Sequence, residues 1–175
     1  MDSSTILWIV GEPGVGKTTI ARQLLESYGP RGQEYVTPKW TRFGNVAAAG
    51  WWRGGSFDGT DTLPISHIKL ALPFYLNCIP CDLAVLDGDK LANQGVVNVA
   101  TEAGCRIICF HLTGPSLAIQ RRIARGTVQR QSWVDGRRTK AQSFYNKFPA
   151  TRFEVEVTPD TAPIVKLMRE VCRAA

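Results

Sequence analysis

The run Gly11-Glu-Pro-Gly-Val-Gly-Lys-Thr18 follows directly on the apolar segment Ile6-Leu-Trp-Ile-Val10, and it constrains this chain more than any other stretch. A buried strand that delivers the backbone to a glycine-rich loop, followed by an amphipathic helix from Lys17, is the context in which G-x-x-x-x-G-K-T cradles phosphates. Backbone N–H groups of the loop and the positive end of the helix dipole face the anion. Glycine is required because the loop takes positive φ and a Cβ would collide with phosphate oxygens. Gly11, Glu12, Pro13, Gly14, Val15 and Gly16, with Lys17, Thr18 and Thr19 opening the helix, form the candidate ATP-binding set. Lys17 is placed to neutralise the β- and γ-phosphates and Thr18 to help hold Mg²⁺.

The chain has 175 residues, 44% of them hydrophobic, which suits one globular domain spanning 1–175 with a sizeable core. No apolar run approaches membrane-spanning length, and the N-terminus lacks the basic start and apolar stretch of a secretory signal. Five cysteines without a regular framework fit a reduced, cytoplasmic interior. Cys78 and Cys81 make a lone CxxC with no second pair to complete a zinc site, and read as core cysteines. His67 and His111 join no ligand cluster and read as structural.

Apolar runs alternate with helical patterns, as in an α/β fold with a mostly parallel sheet. Strands are expected at Ile6–Val10, Glu34–Thr37, Leu83–Leu86, Arg106–Leu112 and Phe153–Thr158, giving five. Helices are expected over Lys17–Tyr28 and near Ser66–Leu76, Lys90–Ala103, Ser116–Arg125 and Thr139–Lys147, with Pro73 kinking or shortening its helix. A last helix carries Ile164, Leu167, Met168 and Val171 on a core-facing stripe. The segment 39–64 is glycine-rich and aperiodic and holds Trp40, Trp51, Trp52 and Phe57, so it reads as a long loop serving the acceptor.

Three further constellations carry chemistry. Leu83-Ala-Val-Leu-Asp87-Gly-Asp89 places carboxylates where an open α/β sheet binds ligands, at strand C-termini. Either Asp87 or Asp89 could serve the metal while the other orients or deprotonates an acceptor hydroxyl; a plain Asp-Gly turn is the structural alternative. Asp58 and Asp61 form a second acidic pair that could orient the acceptor hydroxyl or bind metal, with Asp61 or Thr62 equally readable as a helix cap. Between Arg121 and Lys140 lie six arginines, one lysine and a single acid, Asp135, against a net charge of +6. Arginines on a closing lid can stabilise a transferring phosphoryl group, and Arg122 and Arg125, three apart, can share a helix face. The same basic stretch can attract a nucleic-acid backbone, although charge alone fits a solvated face equally well.

Together, the phosphate loop, Gly59-Thr-Asp61, Leu86-Asp-Gly-Asp-Lys-Leu-Ala-Asn93, Arg125-Gly126, Ser132-Trp133 and Gly136-Arg-Arg-Thr-Lys140 resemble small phage-encoded P-loop kinases related to thymidylate kinases. The nearest group is the 5-hydroxymethyluracil DNA kinases of tailed phages, and the resemblance runs from the first strand through Lys140. It implies a nucleotide-kinase-like three-layer sandwich with an arginine-rich lid over 121–140, ATP and Mg²⁺ as cofactors, and DNA containing a modified thymine as partner. Trp51, Trp52 and Trp133 become candidates for stacking on an extruded base, and Arg130, Arg137, Arg138 and Lys140 for the DNA track. A free nucleoside or nucleotide kinase, a small-molecule kinase of the gluconate, shikimate or antibiotic-modifying type and, more distantly, a nucleotide-driven switch are the competing readings. Oligomeric state is not legible.

Overall fold

The computed structural model describes residues 4–55, 58–124, 126 and 129–174. Arg125, a candidate lid arginine, lies outside the described residues. The architecture is a three-layer α/β sandwich around one sheet of seven strands, in the order β2-β3-β4-β5-β1-β6-β7. The strands are β1 (Thr5–Gly11), β2 (Arg31–Val36), β3 (Lys39–Phe43), β4 (Val46–Ala49), β5 (Leu83–Asp87), β6 (Arg106–Thr113) and β7 (Thr151–Glu156). The helices are α1 (Lys17–Glu26), α2 (Ile68–Cys78), α3 (Gln94–Glu102), α4 (Pro115–Ala124), α5 (Gln131–Lys147) and α6 (Ala162–Arg173).

Strands β4, β5, β1, β6 and β7 are mutually parallel, so their C-terminal ends share one edge of the molecule. β1 occupies the middle and is buried along its whole length. Its alternation sorts the two cores. Ile6, Trp8 and Val10 face α2, α3 and α5, where they meet Ala71, Val97 and Phe148. Leu7 and Ile9 face α1, α4 and α6, where they meet Leu24, Ala118 and Met168. Each fully buried aliphatic side chain contributes about 1.5–3 kcal/mol. A strand apolar on both faces is what a sheet covered by helices requires.

Five strands is a correction: the parallel set numbers five, but β2 and β3 add an antiparallel flap at one edge. The segment 39–64 is therefore no continuous loop, since it supplies β3 and β4 before its irregular part begins. The two strands are joined by Gly44-Asn45, with Gly44 at φ +54 and Phe43 paired to Val46, a tight hairpin. β4 escapes periodicity because Val46-Ala-Ala-Ala49 is buried on both faces and built from alanine, a weak strand former. Two other expectations shift. α2 runs on through Pro73. α5 begins eight residues before the expected start, so Trp133, Arg137 and Arg138 ride on a helix instead of a loop.

Candidate active site

The phosphate loop joins the C-terminal end of β1 to α1. Gly14 and Gly16 take φ +88 and +109, which an L side chain rarely adopts. Lys17 folds its ammonium back onto the loop, donating to the carbonyls of Gly11 and Glu12 at 2.9 Å each. Burial pushes its pKa down, while Asp87, Asp89, Asp61 and Glu12 pull in the opposite direction. Thr19 is exposed on the first turn of α1.

Asp87 ends β5 beside this loop. It is 3% exposed. Its carboxylate accepts from Thr18 Oγ1 at 3.2 Å and from the Thr60 backbone N–H at 2.9 Å. The Thr60 hydroxyl donates to the Asp87 backbone carbonyl. Burial raises the Asp87 pKa to about 6 against these hydrogen bonds. Thr18 and Asp87 thus bring a hydroxyl and a carboxylate oxygen together next to a phosphate cradle. These are the hard oxygen donors that Mg²⁺ takes alongside phosphates and water, so the residues fit that ion. No group of three or more His, Cys, Asp or Glu is placed to hold a metal by itself among the described residues.

Asp89, two residues on, faces α5. Its carboxylate pairs with Arg137, and Lys140 lies 3.7 Å from it while donating to its backbone carbonyl at 2.9 Å. Burial acts upward on its pKa, but the Arg137 hydrogen bond with the charges of Arg137, Lys140 and Lys17 brings it below the usual value. The two aspartates therefore sit in opposite electrostatic settings. The loop that carries them is held by Trp8, whose indole N–H donates to the Leu91 carbonyl at 3.0 Å.

The arginines of α4 and α5 ring the phosphate loop. Arg121 donates to the Val15 carbonyl and Arg122 to the Pro13 carbonyl, both at 2.7 Å. Arg138 reaches the Glu12 carboxylate at 2.7 Å. Arg121 is absent from the candidate catalytic residues because Arg122 and Arg125, three apart, are the pair that can share a helix face, yet Arg121 and Arg122 both turn to the loop. Long side chains reach the loop from both positions. Arg130 is exposed at the start of α5, and Trp133 is 42% exposed with the Arg137 guanidinium 5.1 Å from its ring.

The acceptor-side residues divide. Asp58 is buried and occupied: Arg22 pairs with it at 2.7 Å, and the backbone N–H groups of Arg53 and Gly54 donate to it at 3.1 and 2.9 Å. It ties the backbone at Arg53 and Gly54 to Arg22. Trp52 is buried with its N–H on the Ala49 carbonyl, and Trp51 lies between Lys39 and Arg53, each 3.8 Å from its ring. Neither tryptophan is displayed for stacking. Asp61 is exposed in the short 3₁₀ turn Thr60–Thr62 and makes no side-chain cap, which corrects that reading; Thr62 instead accepts from the Trp51 N–H at 2.8 Å. Lys90 donates to the carbonyls of Asp61 and Leu63 and ties this turn to the β5–α3 loop. His111 is removed from this chemistry, with Nδ1 on Glu154 at 3.0 Å. Cys81 is buried and its thiol pKa is pushed up by burial.

A carboxylate and a hydroxyl beside a glycine loop, a lysine free to turn from carbonyls to phosphates, and flanking arginines can together carry phosphoryl transfer. A family model described as P-loop Nucleotide Kinase3 matches residues 2–162. No curated protein sequence matches the chain. Among solved structures, a gluconokinase from Sinorhizobium meliloti 1021 is similar at 13% identity and TM-score 0.53, over 94% of this chain and 87% of that one. The Deinococcus radiodurans tunicamycin resistance protein is similar at 16% identity and TM-score 0.57, over 98% and 97%. At such identities the likeness is one of fold.

Proposed function

The chain belongs to the P-loop nucleotide kinase family described as P-loop Nucleotide Kinase3, and from that premise we propose that its acceptor is the hydroxymethyl group of 5-hydroxymethyluracil within DNA. The observation that carries this reading is the start of α5, where Arg130 and Trp133 are exposed, while Arg138 reaches Glu12 of the phosphate loop and Lys140 reaches Asp89. Cations track a phosphate backbone, and an exposed indole is a stacking platform for an unpaired base. A base inside a duplex has to be extruded, or already single-stranded, before its substituent reaches a buried phosphoryl group.

In this mechanism the acceptor oxygen bonds to the γ-phosphorus of ATP as the bridging P–O bond breaks, ADP departs and the hydroxyl proton passes to a carboxylate. Lys17 turns from its loop carbonyls to the phosphates. Thr18 and Asp87 would hold Mg²⁺, which would supply charge neutralisation at the phosphate oxygens. Asp89, the more accessible carboxylate at 20% exposure, orients the acceptor hydroxyl. A loose transition state asks a carboxylate mainly for orientation, so the low pKa of Asp89 is compatible with that task. Arg121 and Arg122 face the transferring group from α4.

A free nucleotide or another small alcohol is the second reading. The packing of Trp51 and Trp52 favours it, since it leaves neither indole displayed for stacking on a base. The deciding experiment gives the protein γ-labelled ATP and Mg²⁺ with DNA containing 5-hydroxymethyluracil, the same DNA with thymine, and the matching free nucleoside and monophosphate. Label confined to the modified DNA supports the proposal. Label only in the free compounds moves the acceptor to the nucleotide pool, and ATP hydrolysis with no labelled acceptor would favour a nucleotide-driven switch.

A further inference from the structure

Glu12 is an odd residue to find in a phosphate cradle. Its side chain is 5% exposed, within a loop whose task is to receive several negative charges. A carboxylate there repels the phosphates and cannot be one of their ligands. Its partners say what it does. Oε2 accepts from Arg138 through both Nε and Nη2, at 3.2 and 2.7 Å. Arg122 Nη1 lies 4.0 Å from the same oxygen while donating to the Pro13 carbonyl. The Glu12 carbonyl takes one hydrogen bond of the Lys17 ammonium. One residue thereby touches cations from α1, α4 and α5.

The alternatives open to Arg138 are poor. Its side chain is 44% exposed, and its other acid, Asp135, sits 3.8 Å away one turn back on the same helix. An exposed pair of that kind is worth little and would not aim the guanidinium at the loop. The buried carboxylate does, because a forked guanidinium on a fixed acceptor has a defined direction. We propose that Glu12 is a positioning residue: it holds Arg138 and Arg122 at the phosphate loop before nucleotide arrives, so that they stabilise the transferring phosphoryl group without reorganisation. The cost is repulsion of bound nucleotide in its ground state. The gain falls on the transition state, where preorganised charge counts most. The inference rests on kinase chemistry and is independent of which alcohol accepts the phosphoryl group.

The test measures binding, so it needs no acceptor. Mg·ATP, and Mg·ADP with aluminium fluoride as a mimic of the transferring phosphoryl, are titrated calorimetrically onto the wild type, Glu12→Gln, Arg138→Gln and the double variant. Glu12→Gln is expected to bind Mg·ATP at least as tightly as the wild type, and the mimic about tenfold more weakly or worse, as loss of one charge-assisted contact implies. Arg138→Gln is expected to lose a similar factor on the mimic, and the double variant no more than either single one. Equal weakening of both ligands in Glu12→Gln would make Glu12 a structural part of the loop and overturn the proposal, as would losses that multiply in the double variant. Should Glu12→Gln fail to fold, the half-exposed Arg138→Gln decides alone, and unchanged affinity for the mimic would overturn the proposal.

Discussion

Gly59 lies directly against the carboxylate of Asp87: a Cβ built on the glycine would overlap both carboxylate oxygens. Gly59 also sits at φ +70, and its neighbour Thr60 supplies the N–H and hydroxyl that hold Asp87 from that side. The 59–60 turn is thus the second wall of the site, opposite Thr18, and a side chain at 59 has to push the aspartate or the turn away.

Gly59→Ala is expected to combine positive-φ strain with displacement of Asp87, costing roughly 2–4 kcal/mol of stability and most of the turnover. Gly54→Ala is the control. It has φ +86 but nothing within 4 Å of the added methyl, so only the backbone term of about 1 kcal/mol applies. Urea melts and transfer assays on the pair separate the two contributions. Equal effects would mean that the Gly59–Asp87 contact is immaterial.

Asp87 sets opposite pH trends for stability and activity. Its native pKa of about 6 stands above the ordinary 3.8 because burial disfavours the charge. The folded state therefore binds that proton more tightly than the unfolded chain does. The associated stabilisation is complete below about pH 4 and is lost as pH rises through about 6, on the order of 3 kcal/mol in all. Asp87→Asn is expected to exceed the wild type in stability near neutral pH, with the gap closing in acid. Phosphoryl transfer should rise with pH across the same range, since the ionised carboxylate is required, and added Mg²⁺ should move that midpoint downward. A stability difference that does not change between about pH 4 and pH 8 would remove the buried carboxyl from this account.

How far the sequence carries the site depends on whether its contacts are local. The strand–loop–helix around Lys17 and the strand ending at Asp87 are legible because buried runs and glycine spacing are local signals. Thr60 is named only as part of a motif, and its hold on Asp87 spans 27 positions in the chain. The Arg121 contact to Val15 spans 106 positions, and that of Arg138 to Glu12 spans 126, so no local period reports them. The tryptophans mislead for a related reason. Composition makes Trp51 and Trp52 look like a binding surface, whereas Trp52 is buried and Trp51 is held by its N–H on the Tyr35 carbonyl and by Lys39 and Arg53 at its ring.

Lys17→Ala is expected to reduce transfer by at least about 10²–10³-fold, the usual cost of removing one transition-state charge contact. Among the described residues its ammonium bonds to the Gly11 and Glu12 carbonyls alone, and burial disfavours its charge, so the fold should not suffer. Thermal melting at or above the wild-type midpoint, together with lost turnover, would match. Near-normal turnover in a folded variant would remove the lysine from the chemistry.

Trp52 and Trp133 separate packing from recognition. Trp52 is 3% exposed among Phe43, Val46 and Ala48, so Trp52→Ala is expected to cost about 3–5 kcal/mol whatever the acceptor is. Trp133 is 42% exposed on α5, and Trp133→Ala should leave the melt almost unchanged. If it stacks on an extruded base, the variant should bind single-stranded DNA containing 5-hydroxymethyluracil more weakly by about 1–3 kcal/mol while binding Mg·ATP as before. A free nucleotide acceptor does not require that helix surface, so unchanged DNA affinity in Trp133→Ala would count against the DNA reading. Salt discriminates further, because contacts from Arg130 and Lys140 to a DNA backbone weaken steeply as salt rises, whereas a small acceptor releases few counterions.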